Sequence, residues 1–367
     1  MTDFPQATFE MWRARVGDIE KLVSHTADGI RIEPLYQQIQ GARADRAEPG
    51  PWRILQRIDH PDAAKANTQA LEDLQNGANG LVVARSFDAR LLMGVALHAI
   101  HLRLEGGAVL AKAFADYVKQ QPINPARLQI SFGLKDDALV KDLLAQGFTG
   151  PFMEADGRMF HEQGATEAQE LACVLSELVG ALRKNISTSA VLAANQDMFL
   201  ALAKFRGVRL LWARVLEASG LPFQALQVHG ETSRWMMSKL DPHSNILRAT
   251  AAVFGAGVGG ADSFTVLPFS IQQGLPNAFA RRMARNTQLI LQDEAQLWRV
   301  ADAASGAGYV ESLTRDLCEK AWDIFQGIEK TGKLPVFNAN NESSDPLIGT
   351  KTHQLAQEFE AAVEAMS

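Results

Sequence analysis

Short polar clusters that follow apolar stretches are the first places to look for chemistry in this sequence. His229 and Thr232 lie at the end of one such stretch, 225–229, which is typical of a buried strand. In a barrel of alternating strands and helices, polar residues just past the carboxyl end of a strand face the active site. An imidazole and a hydroxyl group there could hydrogen-bond a substrate or transfer a proton. We therefore take His229 and Thr232 as candidate substrate-binding residues.

A pair of histidines and a group of arginines could also carry a function. His98 and His101 are three residues apart, a spacing that would suit a metal site on a helix. Their neighbours are aliphatic and no third ligand lies nearby, so we expect ordinary packed histidines. Arg281, Arg282 and Arg285 fall on a long predicted helix, and we interpret them as its solvated face.

The segment 255–260, Gly-Ala-Gly-Val-Gly-Gly, has the glycine spacing of a dinucleotide-binding loop. Such a loop must open a helix, so that the phosphates meet free N–H groups at the helix N-terminus. Here a strand-like stretch, 263–267, follows instead. We therefore predict a helix that begins near Asn245, whose small residues let it pack closely against the sheet before a tight turn.

The elements that must position these residues alternate between short apolar strands and longer helices. Strands are predicted at 80–84, 128–132, 225–229 and 263–267. Helices are predicted at 61–76, 166–182, 195–220, 276–297 and 313–328, with Thr166 and Gln169 at capping-box spacing and Asn195 as a cap. The alternation favours an α/β fold: a (β/α)8 TIM barrel over residues 51–367, preceded by an extended and helical arm and linker over 1–50.

Composition and charge exclude several classes of function. The chain has 367 residues and a net charge of −6, so it carries no electrostatic footprint of a nucleic-acid or membrane-surface partner. No apolar run reaches the roughly 18 residues that cross a bilayer, and the first residues lack the pattern of a secretory signal. The two cysteines, Cys173 and Cys318, lie in apolar stretches, where we expect buried thiols in a reducing cytoplasm.

Several sequence blocks between about residues 52 and 352 are together specific enough to indicate a family. They are 156–166 (DGRMFHEQGAT), 203–206 (AKFR), 229–292, 308–314 (GYVESLT), 320–322 (KAW) and 346–350 (PLIGT). Together they resemble the methylmalonyl-CoA mutase family, and in particular the small, or beta, subunit of its heterodimeric members. The block 346–350 resembles the last barrel segment of the family.

The resemblance implies an acyl-CoA-binding TIM barrel, which in active members is followed by a flavodoxin-like cobalamin domain. In the active subunit the substrate thioester lies inside the barrel, while adenosylcobalamin caps the barrel and starts a radical rearrangement. This sequence shows no counterpart of the cobalamin domain. We therefore expect adenosylcobalamin to act in a complex and not to be bound by this chain alone.

The resemblance also implies roles for individual residues. His161 matches the histidine that hydrogen-bonds the thioester carbonyl and is our candidate catalytic residue, although the tyrosine before it is Phe160 here. Ser189 and Asn245 match a serine and an asparagine of the family site, and they join His229 and Thr232 as candidate substrate-binding residues. Arg57 stands where the family has a second active-site tyrosine.

Two arginines of the active family members have no counterpart in this sequence. One is replaced by Ser187, and the region that would carry the other is missing between Phe132 and Glu154. Arginine is the usual partner of a substrate carboxylate because its guanidinium group is always charged and binds both oxygens. Asp262 takes the place of a glutamine, where we expect it to repel an anionic substrate. These differences weigh against turnover of methylmalonyl-CoA by this chain.

Three functions remain open from the sequence. The first is a catalytically silent small subunit that pairs with a large catalytic mutase subunit, in a complex that interconverts methylmalonyl-CoA and succinyl-CoA. The second is a catalytic acyl-CoA barrel that works with a separate cobalamin-binding chain, and the third is an acyl-CoA-binding barrel that regulates or chaperones the mutase. In the first, apolar arm residues would contact the partner: Phe9, Met11, Trp12, Leu22, Leu35 and Tyr36.

Overall fold

The computed structural model describes residues 7–44, 46–84, 87–338 and 362–364. The block 346–350, which resembles the last barrel segment of the family, lies outside the described residues. Among the described residues, no helix has the length and apolar character to cross a membrane.

Eight parallel strands form the centre of the fold. They are β1 Arg53–Ile58, β2 Gly80–Val83, β3 His101–Leu104, β4 Gln129–Ser131, β5 Met153–Asp156, β6 Thr188–Ala194, β7 Val228–Thr232 and β8 Ser263–Thr265. Strands β1 to β4 and β5 to β8 pair in sequence order, and β8 pairs with β1. Between β4 and β5 a parallel bridge joins Leu134 to Met153, which closes the ring. The predicted (β/α)8 TIM barrel is therefore confirmed.

The helices surround this barrel and connect its strands. They are α1 Phe9–Val16, α2 Ala63–Gln75, α3 Gly107–Lys119, α4 Asp137–Ala145, α5 Arg158–His161, α6 Glu167–Arg183, α7 Met198–Ala218, α8 Ser244–Val258, α9 Ala278–Leu289 and α10 Gly308–Thr331. Two 3₁₀ turns, rather than an α-helix, connect β2 to β3. Helix α10 packs across α6 and α7 on the outside of the barrel.

Local capping chemistry explains where two of the long helices begin. Thr166 and Gln169 form the predicted capping box at the start of α6, each accepting a hydrogen bond from the other's backbone N–H. The predicted cap at Asn195 is wrong. The Asp197 carboxylate caps α7 instead, because it accepts from Phe199 N at 3.1 Å and Leu200 N at 3.0 Å.

Most predicted element boundaries shift by a few residues in the structure, and two of these shifts bear on candidate residues. Strand β7 begins at Val228 rather than 225, which places His229 inside the strand and Thr232 at its end. The helix predicted over 276–297 is α9, capped by Asn277, and its last turn continues as a π-helix over Ile290–Glu294. In both places an apolar run that crosses the boundary produced the error.

The glycine-rich segment is confirmed as part of a helix, α8, rather than a nucleotide-binding loop. Its glycines approach a neighbouring helix and a buried indole most closely, whereas the prediction had them packing against the sheet. A Cβ atom on Gly255 would lie 2.5 Å from the carbonyl oxygen of Met198 in α7, and one on Gly257 would lie 2.8 Å from the ring of Trp52. The Trp52 side chain is almost fully buried, so it has no room to yield.

The arginine side chains of α9 correct a second interpretation. Arg281 and Arg285 are buried, and both form ion pairs with the carboxylate of Asp73 in α2. Only Arg282 is exposed, where it stacks over the ring of Phe279. The prediction of a solvated face was wrong for two of the three because Asp73 supplies a buried partner that helical spacing does not reveal.

The histidine pair and the cysteines fall mostly in ordinary packed positions. His101 is buried at the start of β3, while His98 is exposed on a 3₁₀ turn, so the two do not share a helix face. No group of His, Cys, Asp or Glu side chains among the described residues is arranged to hold a metal ion. Cys173 is buried and Cys318 is half-buried.

The amino-terminal arm is anchored at its root and exposed toward its start. Linker residues contact the amino-terminal end of the barrel, where Arg46 donates to the carbonyl of Gly257 and Ala47 N donates to Asp262. Arg206 is fully buried. It forms ion pairs with Asp302 and Glu311, and it donates a hydrogen bond to the carbonyl of Ala42. Helix α1, in contrast, buries none of its residues.

We predict that Gly257→Ala destabilises the fold by about 1–3 kcal/mol, because the added methyl group overpacks the ring of Trp52. The matched control is Gly180→Ala in α6, where a Cβ atom meets no other atom within 4 Å. This control should be neutral or gain up to about 1 kcal/mol from helix propensity. Urea unfolding of the two variants measures the difference, and equal stability would contradict the packing argument.

Candidate functional site in the barrel lumen

A network of buried and half-buried ion pairs spans the lumen of the barrel toward its carboxyl-terminal end. We call it the plug, and it consists of Arg57, Arg103, Glu105, Glu154, Asp156, Arg158 and Glu231. Its members come from β1, β3, β5 and β7 or directly follow these strands. Alternate strands supply the side chains of one lumen layer in a TIM barrel. The plug is therefore a layer of the barrel core built from charged residues.

The contacts of the plug are short, and most of them join alternate strands of the barrel. Arg57 contacts Glu105 at 2.6 Å and Glu231 at 3.3 Å. Arg158 contacts Glu105 at 2.8 Å, Glu231 at 3.0 Å and its neighbour Asp156 at 2.8 Å. Since β1 and β7 are separated by β8, the Arg57–Glu231 contact must pass through the interior.

A second set of contacts extends the plug between β3 and β5. Arg103, which is 2% exposed, contacts Glu105 at 2.9 Å and Glu154 at 2.5 Å. Strand β4 lies between β3, which carries Arg103, and β5, which carries Glu154, so the Arg103–Glu154 contact also joins alternate strands. Three guanidinium groups therefore face four carboxylates in a space from which water is largely excluded.

The electrostatics of the plug follow from this arrangement. Burial raises the pKa of Glu231 and of Glu154, and nearby arginines offset only part of that rise. Burial also acts to raise the pKa of Glu105, but Arg158, Arg103 and Arg57 together hold it well below its ordinary value. Glu105 is thus the carboxylate that the three arginines stabilise in its charged form.

Below the plug, the amino-terminal half of the lumen holds a small cavity lined by polar and charged side chains. His101, Ser131, Ser189, His229 and Ser263 line a cavity of about 20 Å³ there. His101 Nε2 lies 3.3 Å from Ser131 Oγ, and His229 Nδ1 lies 2.8 Å from Ser263 Oγ. A cavity of this size holds about one water molecule.

The candidate catalytic residue, His161, lies in α5 just after β5 and is buried. Its Nε2 lies 2.8 Å from Ser233 Oγ, while its Nδ1 is 3.6 Å from Glu170 Oε2, which is too long for a hydrogen bond. Glu170 is instead paired with Lys204 at 2.6 Å. The order Ser233–His161–Glu170 resembles a hydrolase triad, but the weak second contact and the burial of Ser233 give it no nucleophile geometry.

The four candidate substrate-binding residues do not form one pocket. Ser189 and His229 lie in the lower lumen, on the cavity described above. Thr232 Oγ1 accepts from Leu267 N at 2.8 Å, which ties the end of β7 to the segment after β8. His161 does not line that cavity and instead contacts Ser233, the residue after Thr232.

Asn245 is fully buried and holds two loops together. Its amide nitrogen donates to the carbonyls of Ser238 and Phe269, both at 2.8 Å. Its amide oxygen accepts from Ser238 N at 2.8 Å and from Arg248 at 2.6 Å. All of its hydrogen-bonding capacity is thus used within the protein.

The expectation that Asp262 repels an anionic substrate is wrong. Asp262 lies before β8, at the amino-terminal rim, where its carboxylate pairs with Arg209 at 2.8 Å. It also accepts from the backbone N–H groups of Val228 and Ala47. Its charge is compensated locally, so it is a structural anchor for the rim.

Sequence reasoning missed most of the plug. Arg57 was noted as a replacement for a tyrosine, and Asp156 and Arg158 only as part of the block 156–166. Arg103, Glu105 and Glu231 were not identified as site residues. The available signal was the alternation of charged residues with leucines at 101–105 (HLRLE), which has the period of a strand. Charged side chains in a parallel strand contradict the apolar pattern expected there, and for that reason the strand itself was not predicted.

The buried state of His161 has a measurable consequence. Burial, together with the positive charge of Lys204, lowers the pKa of His161 from 6.5 to about 4. The unfolded chain therefore takes up this proton at a higher pH than the folded chain. The associated stability is fully present above pH 6.5 and is lost as pH falls toward 4, by about 3 kcal/mol.

We predict that His161→Gln makes the free energy of unfolding fall less steeply between pH 6.5 and 4 than in the unchanged chain. Glutamine keeps a polar atom near Ser233 but does not titrate. His25→Gln, at an exposed position, serves as the control and should leave the slope unchanged. Urea unfolding at several pH values tests this, and an unchanged slope in His161→Gln would refute it.

Comparison with known proteins agrees with the resemblance seen in the sequence. The family described as methylmalonyl-CoA mutase matches residues 152–339, just over half of the chain. The methylmalonyl-CoA mutase small subunit of Streptomyces virginiae is 36% identical over 404 residues, covering 89% of this chain and 64% of the relative. That of Propionibacterium freudenreichii subsp. shermanii is 30% identical, covering 90% and 63%.

A more distant relative and a solved structure complete the comparison. The methylmalonyl-CoA mutase of Escherichia coli (strain K12) is 26% identical, covering 86% of this chain and 56% of the relative. A dihydropteroate synthase structure from Stenotrophomonas maltophilia aligns with a TM-score of 0.41 and 12% identity, covering 68% of this chain and 94% of that one. The chain spans somewhat less than two thirds of the length of its curated relatives. On the family match and these relatives, the chain belongs to the methylmalonyl-CoA mutase family.

Proposed function

We propose that this chain acts as a catalytically silent small subunit of a methylmalonyl-CoA mutase-type isomerase. It would pair with a large catalytic subunit and stabilise it, and the complex would interconvert methylmalonyl-CoA and succinyl-CoA in the cytoplasm. The observation that carries the proposal is the plug, because charged side chains occupy the lumen in which the family binds its thioester. The relatives named as small subunits support the pairing.

The plug would resist opening by a substrate. Its arginines and carboxylates are held by one another rather than by solvent, and Arg103 and Glu154 are almost completely buried. Separating a buried ion pair leaves charges without partners, at a cost of about 3–5 kcal/mol for one lost partner. A neutral pantetheine chain offers no compensating charge. The closed lumen is therefore a stable property of this barrel.

The same geometry bears on the cofactor. Adenosylcobalamin supplies the radical chemistry of the family, which requires the cofactor and the thioester to meet inside the barrel. In this chain that space is taken by the plug, and the cavity below it has a volume of only about 20 Å³. The described residues therefore do not fit catalytic use of the cofactor. We assign adenosylcobalamin to the complex and no reaction step to this chain.

The exposed arm supports a role in assembly. Four of its apolar residues are exposed: Phe9, Met11, Leu22 and Leu35. Helix α1 carries two of them and buries none of its residues, although Phe9 and Trp12 contact each other within it. An apolar segment of this kind gains stability by covering a partner surface. The arm is thus the segment we assign to contact with the large subunit.

Purification of this chain alone and with a co-expressed large subunit tests the proposal. We expect mutase turnover and cofactor uptake only in the co-expressed complex, because the lumen of this chain is closed. Turnover by this chain with a separate cobalamin-binding chain, in the absence of a large subunit, would refute silence. That result would establish the second hypothesis, a catalytic barrel.

A substitution at His161 separates the two hypotheses within the complex. We predict that His161→Ala leaves the kcat of the assembled complex unchanged, because no substrate reaches this imidazole. His25→Ala is the matched control for a histidine-to-alanine change at the surface. Size-exclusion chromatography confirms assembly, and a loss of kcat in an intact complex would show that His161 takes part in turnover.

A further inference from the structure

We propose that one ordered water molecule occupies the cavity in the lower lumen and bridges the imidazole rings of His101 and His229. This goes beyond the silent role proposed for the chain and does not depend on the partner. The water molecule would occupy the part of the lumen that the plug leaves unfilled.

Two buried ring nitrogens that lack a hydrogen-bond partner in the protein support this site. His101 Nδ1 and His229 Nε2 are both buried and make no hydrogen bond within the protein. Each ring is held through its other nitrogen, by Ser131 and Ser263 respectively. Both rings also line the same cavity. A buried polar atom without a partner is costly, and ordered water is the usual partner where the protein supplies none.

The size and lining of the cavity select the ligand. Its volume of about 20 Å³ exceeds the 10–15 Å³ that one water needs and leaves no room for an organic molecule. Besides the two rings, Ser131, Ser189 and Ser263 contribute hydroxyl groups to the lining. A water molecule can donate twice and accept twice, so it suits a set of neutral groups that both donate and accept.

The surrounding charges favour water over a small anion. Arg53 and Arg103 line the cavity, but Arg53 is paired with Glu48 and Arg103 with Glu105 and Glu154. The carboxylates of Glu154 and Asp262 also line it, but each is paired, with Arg103 and Arg209 respectively, so the lining offers an anion no unpaired positive charge. Burial and the neighbouring arginines lower the pKa of His101 to about 3 and that of His229 well below its ordinary value. Both rings are therefore neutral at pH 7 and lack the charge that an anion would need.

A crystal structure of the full chain grown with sodium bromide tests the site directly. We expect one density peak within hydrogen-bonding distance of both His101 Nδ1 and His229 Nε2, without anomalous scattering from bromide. A bromide signal would identify an anion site, and an empty cavity would mean that the rings stay unpartnered. Either result would overturn the proposal.

A pair of substitutions tests the bridge by a second route. The side-chain amide of His229→Gln lies close to the position of Nε2, so we expect this variant to keep the peak. His229→Leu removes the polar atom, and we expect the peak to be lost. Loss from both variants or retention in both would contradict the bridge. If the leucine variant does not fold, the bromide crystal of the unchanged chain still decides the question.

Discussion

The plug that closes the lumen of this barrel depends on the interaction of Glu105 with three arginines. A single carboxylate among Arg57, Arg103 and Arg158 joins the walls of β1, β3 and the start of α5. Removing these charges from water is costly, and the cost is offset only when every charge keeps its partners. The barrel must therefore close tightly and in one register for the plug to be stable. The ion pairs that require this register are also the side chains that fill the lumen.

A similar rule governs the attachment of the arm. Arg206 is completely buried between Asp302 and Glu311, and its remaining donor reaches the carbonyl of Ala42. The linker is thus held by a charge that has no access to water. An arm with a rigid root and an exposed start keeps its apolar residues in place for a partner while costing little in the isolated chain. Buried ion pairs therefore determine both the closed lumen and the position of the arm.

Much of the scaffold was predictable from the sequence, and the plug was not. The capping box of Thr166 and the helical glycines of α8 follow from local rules, so their predictions were confirmed. Strand β3 and the burial of Arg281 and Arg285 depend on partners far away in the sequence, such as Asp73 and Glu154. A charged residue is predicted to be exposed unless its partner is known, and sequence spacing does not identify that partner. For this reason the sequence did not identify the side chains that fill the lumen, and the predicted site residues do not form one pocket.

His161 shows why a retained family residue is weak evidence for a retained reaction. Its imidazole is buried, lies 2.8 Å from Ser233 and sits beside the Lys204–Glu170 pair. These contacts position α5 against the loop after β7, which gives the residue a structural reason to remain. The groups that would make it catalytic are changed, since Phe160 lacks a hydroxyl and Arg57 lies in the plug. The role of a histidine in such a barrel thus depends on its surroundings, and here Ser233, Trp235 and the Lys204–Glu170 pair enclose the imidazole.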